Sequence, residues 1–342
     1  MTAGPIRVGV AMGVRGRPRW TVPDLAEQWQ AVLDRGVRSA WFAQGVGADA
    51  LTLIGAWGGQ RAGAGAGAGT GGPEVGPEVG TAVIPAQTRH PLVLAGQVAT
   101  TAALAGPFTL GLGLGHRELL GPQFGLGGPR RVDWLREYLD VLEALLRGDD
   151  VDHRGPHFTV RARLALPPTV PPDVVLAAFG PRMLDLVAER AAGTALWRTG
   201  PAGLARDVVP VLAEAAGRHG RPMPRVLVGL PLVVTDRPEE ARAYVDAAEQ
   251  FSLALPTYRD AYAREGVDRP SDIALIGTEE EVREKVAVLA DAGATDLVAV
   301  LHDVGDRDRT WDLLAALAAL AAPANTASPA GTASPANTAA GS

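Results

Sequence analysis

Several residue types and patterns are missing from this chain, and each absence excludes a class of protein. The 342 residues contain no cysteine, which excludes disulfides, thiolate metal sites and cysteine nucleophiles and favours a reducing compartment. The formal charge of -6 argues against a general nucleic-acid binder, which needs clustered lysine and arginine. The first apolar run, at 6–12, contains Arg7 and is too short for a signal sequence or a membrane span. We therefore expect a cytoplasmic protein that acts on a small molecule, with neither nucleic acid nor membrane as its partner.

Metal-binding patterns are also lacking. His153 and His157 are four residues apart, but Gly155 and Pro156 stand between them and prevent the helix that would bring both rings to one ion. No carboxylate stands at the offset that would complete such a site. The sequence predicts no metal centre.

Short apolar runs alternate with amphipathic stretches, the pattern of repeated βαβ units around a parallel sheet. A predicted helix follows each predicted strand. The eight strand candidates are 6–12, 39–43, 80–84, 108–114, 174–178, 194–198, 225–234 and 296–301. Eight such units indicate an α/β protein with a single (β/α)8 barrel of the TIM type, with insertions, rather than an open doubly wound sheet.

Two low-complexity segments interrupt this rhythm. A Gly/Ala-rich tract and a doubled Pro-Glu-Val-Gly occupy 61–80, and Thr-Ala-Ser-Pro and Ala-Asn-Thr units fill 323–342. Neither has the large apolar residues that would offset the entropy of ordering, so we expect an inserted surface loop and a disordered tail. Both could instead bind partners. The predicted barrel domain is 1–322.

Catalytic groups of such barrels lie where the strands end, and few of these strand ends carry an ionisable residue. His116 stands out at the end of strand four, because imidazole can donate or accept a proton near neutral pH. The alternative is a histidine that only supports other residues through hydrogen bonds. We favour the catalytic role because Gly111, Gly113 and Gly115 would let a flat ligand approach the backbone.

Two strand-to-helix turns could hold a phosphate group. Gly180 ends strand five and Pro181 opens the next helix, so the free backbone N–H groups of the first turn could bind an anion. Thr199 and Gly200 form a similar turn after strand six. Either could be an ordinary turn, but late-strand loops are the usual phosphate site of these barrels.

Other residues are weaker candidates. Trp41 and Trp197, on strands two and six, could wall a pocket. Arg130, Arg131 and Arg136 open a helix and could meet an anionic cofactor tail, or could form a solvated charged face.

Motifs of three other enzyme classes are absent. Gly113-x-Gly115 is followed by Glu118 where a dinucleotide fingerprint needs its third glycine. A Gly-x-Ser-x-Gly nucleophile elbow is missing. No lysine stands at a predicted strand end to form a Schiff base, which disfavours an aldolase.

A set of short motifs resembles the luciferase-like oxidoreductases, especially the actinobacterial branch that uses coenzyme F420. The motifs are Ser-Ala-Trp-Phe-Ala-Gln at 39–44, Gly-Thr-Ala-Val-Ile-Pro at 80–85 with Arg-His-Pro at 89–91, Leu-Gly-Leu-Gly-Leu-Gly-His at 110–116, Arg-Glu-Tyr-Leu at 136–139 and Ala-Gly-Ala-Thr-Asp at 292–296. They span most of the predicted barrel. The chain departs from its relatives in the segment at 61–80, in the 20-residue tail, and at Gln44, where an acidic residue or histidine is common.

The resemblance implies where a cofactor would lie. A non-prolyl cis peptide at Ala82 and Val83 would stand behind the isoalloxazine-like ring, and Gln44 with the strand-four Gly113 and Gly115 would border it. His116 would take the place of a proton donor. The residues implied to hold the phosphate are Gly180, Pro181, Arg182, Met183 and Thr199.

The function expected from this resemblance is hydride transfer between C5 of coenzyme F420 and a C=C, C=N or C=O bond of a small organic substrate. One alternative is an FMN-dependent monooxygenase of the same family. An alternative of another class is a catalytically inactive barrel that only binds the cofactor. Relatives commonly pair, so a homodimer is also expected.

Overall fold

The computed structural model describes residues 5–13, 20–62, 76–126, 132–167 and 170–320. The predicted tail at 323–342 and most of the predicted insertion at 61–80 lie outside the described residues. The strands are β1 Arg7–Met12, β2 Ser39–Phe42, β3 Glu78–Thr81, β4 Ile84–Pro85, β5 Leu110–Gly113, β6 Val151–Arg154, β7 Thr159–Ala162, β8 Val174–Ala177, β9 Gly193–Trp197, β10 Arg225–Val234, β11 Leu275–Gly277 and β12 Asp296–Val300.

Helices follow the strands in the order that the sequence predicts. They are α1 Val22–Asp34, α2 Ala50–Trp57, α3 Pro91–Ala105, α4 Arg117–Phe124, α5 Val132–Leu146, α6 Pro181–Arg190, α7 Pro201–Gly203, α8 Val209–Arg218, α9 Pro238–Leu253, α10 Pro256–Glu265, α11 Glu279–Asp291 and α12 Arg307–Leu320. A π-helical segment, Leu204–Val208, joins α7 to α8. A capping box begins α11, with the Thr278 hydroxyl accepting from the Glu281 N–H. No described helix is long and apolar enough to cross a membrane.

The parallel strands close into the predicted barrel. The neighbour order is β3-β2-β1-β12-β10-β9-β8-β5-β4. β3 and β4 are two pieces of one barrel strand. The first and last strands of this order are therefore the same strand, and the barrel has eight strands. All eight predicted strands are present, and strand three begins at Glu78, inside the segment predicted as an inserted loop.

Three of the described strands, β6, β7 and β11, lie outside the barrel. β6 and β7 form an antiparallel hairpin between predicted strands four and five, and β11 pairs with the C-terminal end of β10. The helix α4 was also not predicted, because Gly121 and Pro122 interrupt its short sequence.

Charged residues close the N-terminal end of the barrel. Arg225 at the start of β10 donates to both oxygens of Glu78 at 2.8 and 3.0 Å and to Asp296 at 2.6 Å. Arg7 reaches the same Asp296 at 2.8 Å. Burial acts to lower the pKa of Arg225, but the two carboxylates outweigh it and raise that pKa. Four strand starts are thereby linked, which leaves the C-terminal end for a ligand.

Two tryptophans occupy the barrel interior. Trp41 is 1% exposed and its ring stacks against Gly80, where a Cβ would lie 2.5 Å from the ring. The prediction that Trp41 walls a ligand pocket is therefore wrong, since the ring is part of the core. Trp197 covers Gly229, where a Cβ would lie 1.2 Å from its ring, and it remains half-buried.

The β6–β7 hairpin is held to α5 by one buried carboxylate. Glu137 accepts hydrogen bonds from His153 Nε2 at 2.9 Å and from the backbone N–H groups of Phe158 at 2.8 Å and His157 at 3.1 Å. Burial acts to raise the pKa of Glu137, but these donors outweigh it and hold the pKa below its ordinary value. The ionised form is thus the one that stabilises the hairpin.

Replacing Glu137 with glutamine should therefore lower the free energy of unfolding at neutral pH by about 1–3 kcal/mol. The lowered pKa means that the stabilisation is complete above the ordinary value of 4.5 and is lost as pH falls through the lower folded value. The difference in the free energy of unfolding between wild type and variant, measured by urea unfolding from pH 7 to pH 3, should become smaller as the pH falls. The exposed Glu27 of α1 provides the control Glu27→Gln, expected within about 0.5 kcal/mol of wild type. A gap that stays constant with pH would contradict this role.

Candidate active site

Strand three is interrupted where the sequence resemblance places a cis bond. The peptide between Ala82 and Val83 is cis, which confirms that expectation. On the near side of the break, the Thr81 hydroxyl donates to the Gly111 carbonyl at 2.9 Å and accepts from the Gly111 N–H at 2.8 Å. A side chain therefore connects strands three and four beside the break.

The strand-four glycines make room for protein atoms. A Cβ at Gly111 would lie 1.8 Å from the Thr81 carbonyl oxygen, and one at Gly113 would lie 3.0 Å from the Val83 side chain. Gly115 has a φ of +56°, and a Cβ there would lie 2.8 Å from Leu120. The expectation that these glycines open space for a flat ligand is wrong on their Cβ side, which neighbouring residues fill. Cofactor contacts of Gly113 and Gly115 through the backbone stay a prediction.

His116 lies in an aromatic group at the mouth of the barrel. Its ring centre is 4.6 Å from that of Tyr258 on α10, and Tyr258 in turn is 6.3 Å from Phe179 at the end of strand five. His116 is half-buried and is the N-cap residue of α4, but its side chain does not cap that helix. The imidazole is therefore held by ring packing beside the strand-four and strand-five ends.

Gln44 is tied to its own loop. Its side-chain oxygen accepts from the Ala50 N–H at 2.9 Å and from Arg89 at 3.3 Å, and its amide donates to the Gly45 carbonyl at 3.1 Å. Arg89 also pairs with Asp49, the N-cap of α2. Burial acts to raise the pKa of Asp49, but bonds from Thr52 and Arg89 outweigh it and lower that pKa. Gln44 thus fixes the β2–α2 loop, and its contact with a cofactor ring stays a prediction.

The two predicted phosphate turns differ. At Gly180, the N-cap of α6 has no side chain, no side chain of the described residues bonds the N–H groups of the turn, and open space lies where a Cβ would stand. At the second turn, the carboxylate of Glu265 accepts from the N–H groups of Gly200 at 2.9 Å, Gly203 at 2.7 Å and Ala202 at 3.1 Å. A charged group of the protein therefore fills the turn after strand six, while the turn after strand five is open.

A groove runs along the outside of α6 from this open turn. Its lining residues are Val132, Asp133, Arg136, Pro181, Arg182, Asp185 and Arg218. Arg136, a candidate for an anionic cofactor tail, lies in this groove and pairs with Glu189. Arg130 and Arg131 lie outside the described residues.

Similarity to known proteins identifies the family. The family model described as "Luciferase-like monooxygenase" matches residues 78–296, which include the strand-three break, His116 and both turns. This chain belongs to that family. It is therefore an enzyme of the luciferase-like superfamily of oxidoreductases.

Two relatives of this luciferase-like chain have similar sequences. An F420-dependent glucose-6-phosphate dehydrogenase of Beutenbergia cavernae is 30% identical over 183 residues, which cover 51% of this chain and 54% of the relative. The alignment thus spans about half of that protein. A protein of Mycobacterium tuberculosis named as a coenzyme F420-dependent oxidoreductase is 24% identical, over 92% of this chain and 99% of the relative.

The fold also matches a solved luciferase-like structure. An F420-dependent secondary alcohol dehydrogenase in complex with an F420-acetone adduct superposes with a TM-score of 0.72, over 93% of this chain and 99% of that one. The sequences are 16% identical, so this similarity supports the barrel fold alone.

Sequence reasoning missed an ionic group on the same side of the luciferase-like barrel. Glu249 of α9 contacts both Arg198, which follows β9, and His302, which stands two residues after β12. A search of the first residue after every strand would have found Arg198, and a search of the first two would also have found His302. Nothing local marks Glu249, which lies about fifty residues from either partner along the chain.

One described group has the spacing of metal ligands, Asp185, Glu189 and His219. Arg218 already pairs with Asp185 and Arg136 with Glu189. Because these cations neutralise both carboxylates, the group is a surface ion-pair cluster.

The contact between strands three and four can be tested with Gly111→Ala. The new methyl would collide with the Thr81 backbone, so the free energy of unfolding should fall by about 1–3 kcal/mol or more. Gly96 in α3 has open space at its Cβ position, so Gly96→Ala should instead stabilise by about 0.5–1 kcal/mol. Both values would come from urea unfolding followed by circular dichroism. Equal effects of the two substitutions would show that the close approach at Gly111 is unimportant.

Proposed function

We propose that this luciferase-like enzyme is a coenzyme F420-dependent oxidoreductase that transfers a hydride between the deazaflavin C5 and a C=C, C=N or C=O bond of a small organic substrate. The observation that carries the proposal is the open N-terminus of α6 at the end of strand five, a site for the phosphate of a phosphate-bearing cofactor. The two relatives named for coenzyme F420 support the choice of cofactor.

The residues at the end of strand five fit a phosphate group. Backbone N–H groups at a helix start attract an anion, and among the described residues no side chain bonds those at Gly180. Pro181 and Arg182 are exposed at the first turn, and Arg182 adds a positive charge. Met183 packs beneath the turn against the core. Thr199 ends the neighbouring strand, where its hydroxyl would be the strand-six contribution.

The ring of the cofactor would lie across the strand-three and strand-four ends. Ala82 and Val83 would support one face, with Gln44, Gly113 and Gly115 along its border. When bound, the deazaflavin supplies a carbon that gives or accepts a hydride. The protein contributes geometry: Tyr258 packs against His116 and orients its ring, and His116 would deliver or remove the proton that balances the hydride.

The choice of cofactor is tested by fluorescence titration of the purified protein with coenzyme F420 and, in parallel, with FMN. We expect tight F420 binding and weak FMN binding. A phosphate and a flat ring are common to both, so the comparison tests recognition of the features that distinguish F420, its deazaflavin ring and its anionic tail. Substitution of Arg182 by alanine should weaken F420 binding by roughly tenfold, because a charge-assisted contact to phosphate contributes about 1.5–3 kcal/mol when fully formed and less at an exposed site.

Each contrary outcome has a defined meaning. Preference for FMN would replace hydride transfer by flavin monooxygenation. Binding of F420 without turnover of any unsaturated, imine or carbonyl substrate would favour the catalytically inactive barrel. Binding of neither cofactor would refute the proposal.

The role of His116 is tested by replacing it with alanine. Loss of a general acid or base costs about 10²–10⁴-fold in turnover, so kcat should fall by at least about 100-fold while F420 affinity changes little. The exposed His219, at the end of α8, provides the control His219→Ala, expected to leave kcat unchanged. Unchanged turnover of the His116 variant across pH 5–9 would remove this histidine from the mechanism.

A further inference from the structure

A buried ionic cluster joins the ends of strands six and eight. The Glu249 carboxylate lies between the guanidinium of Arg198, to which it is ion-paired, and the imidazole of His302, whose Nε2 is 3.2 Å from Oε1. The side chains of Glu249 and His302 are fully buried, and that of Arg198 is 4% exposed. One carboxylate of α9 thus contacts two strand ends at the mouth of the barrel.

Arg198 has an unusual backbone conformation. Its φ is 63°, and among the described residues it is the one non-glycine with a positive φ. For a residue with a Cβ, the population of this left-handed conformation is lowered roughly tenfold. Arg198 directly precedes Thr199 and Gly200, so its φ sets the direction in which the strand-six turn leaves the barrel. The Arg198 N–H donates to the Gly229 carbonyl at 3.3 Å, and the buried, ion-paired side chain is a second contact that can hold this conformation.

The cluster is poorly arranged for stability alone. The Nε and Nη1 atoms of Arg198 are buried without a hydrogen-bond partner among the residues that the structure describes. Removing a buried pair's charges often costs little stability, because the desolvation penalty offsets the attraction. A buried guanidinium with two unbonded nitrogens is thus better explained by the backbone conformation that it holds.

The helix pair that supplies Glu249 holds the same turn a second time. The Ser252 hydroxyl of α9 lies 3.0 Å from the Tyr262 hydroxyl of α10 and connects the two helices. At the end of α10, Glu265 binds the N–H groups of Gly200 and Gly203. The turn is therefore held at two places, at Arg198 by Glu249 and at its backbone N–H groups by Glu265.

We propose that Glu249 is a positioning residue: by pairing with Arg198 it keeps residue 198 in the left-handed conformation and so places Thr199 against the bound cofactor. The inference rests on the proposed function for the role of Thr199. The effect of Glu249 on the turn itself does not depend on which cofactor binds. The positioning role of Glu249 and the proposed function can therefore be refuted by different results.

The test exploits the freedom of glycine at positive φ. In Glu249→Gln, the neutral amide no longer forms an ion pair with Arg198 and holds it more weakly, so residue 198 should leave the left-handed region more often. Adding Arg198→Gly removes the need for a partner, because glycine adopts this conformation without cost. Adding Arg198→Ala removes the same side-chain charge but keeps the Cβ. The two double variants therefore differ only in the backbone preference of residue 198.

Hydrogen exchange at the amides of Gly200, Ala202 and Gly203, which bond to Glu265, gives a readout that needs no cofactor. We expect exchange roughly tenfold faster in Glu249→Gln and in Glu249→Gln with Arg198→Ala, and a return toward the wild-type rate with Arg198→Gly. F420 affinity should follow the same order. Asp246→Asn is the control, because this α9 carboxylate bonds the Ser271 N–H instead of Arg198 and should leave exchange at the turn unchanged.

Unchanged exchange in Glu249→Gln would overturn the proposal, as would equal restoration by glycine and alanine. Altered exchange with unaltered F420 affinity would also overturn it, since Thr199 would then not depend on the turn. If Glu249→Gln cannot be purified folded, Arg198→Gly and Arg198→Ala alone make the same comparison. Failure of wild type to bind F420 would instead refute the proposed function.

Discussion

The barrel depends on the hydroxyl group of Thr81. A closed sheet needs every strand to bond to both neighbours, yet strand three is broken between β3 and β4 and its regular ladder to strand four is lost there. Thr81 supplies the missing bonds by accepting from and donating to Gly111. The contact requires that residue 111 has no side chain, because the Thr81 carbonyl stands where a Cβ would be. Threonine and glycine at these positions therefore act as one unit.

The two ends of the barrel are stabilised in different ways. At the N-terminal end, Arg225 bridges carboxylates from strands three and eight, and its guanidinium lies 5.8 Å from the Trp41 ring. This arrangement is compact and fixed. At the C-terminal end, Glu249 and Glu265 come from helices inserted between strands seven and eight, and they hold the residues that follow strands six and eight. The ion pairs of the first end join strands directly, whereas these two carboxylates join strand ends to helices.

Much of the fold was predictable because each barrel strand is covered on both faces and reads as a short apolar run. The position of the cis peptide was also predictable, from the motif at 80–85. What the sequence hid were contacts between distant residues. Glu249 and Glu265 lie in helices that look like ordinary polar segments, and their partners are about 50 to 65 residues away. The glycines of strand four were noticed but misread, since an absent side chain does not reveal whether a ligand or a neighbouring strand uses the space.

The two turns after strands five and six show how a barrel of repeated units acquires one binding position for an anion. Both turns present the free N–H groups of a helix start, and the sequence treats them as equivalent. In the structure, Glu265 supplies a negative charge to the second turn, where it bonds three backbone N–H groups. A phosphate entering there would have to displace this carboxylate, whereas no side chain of the described residues bonds the N–H groups at Gly180. Under the proposed function, Glu265 thus directs the phosphate to the Gly180 turn without touching the cofactor.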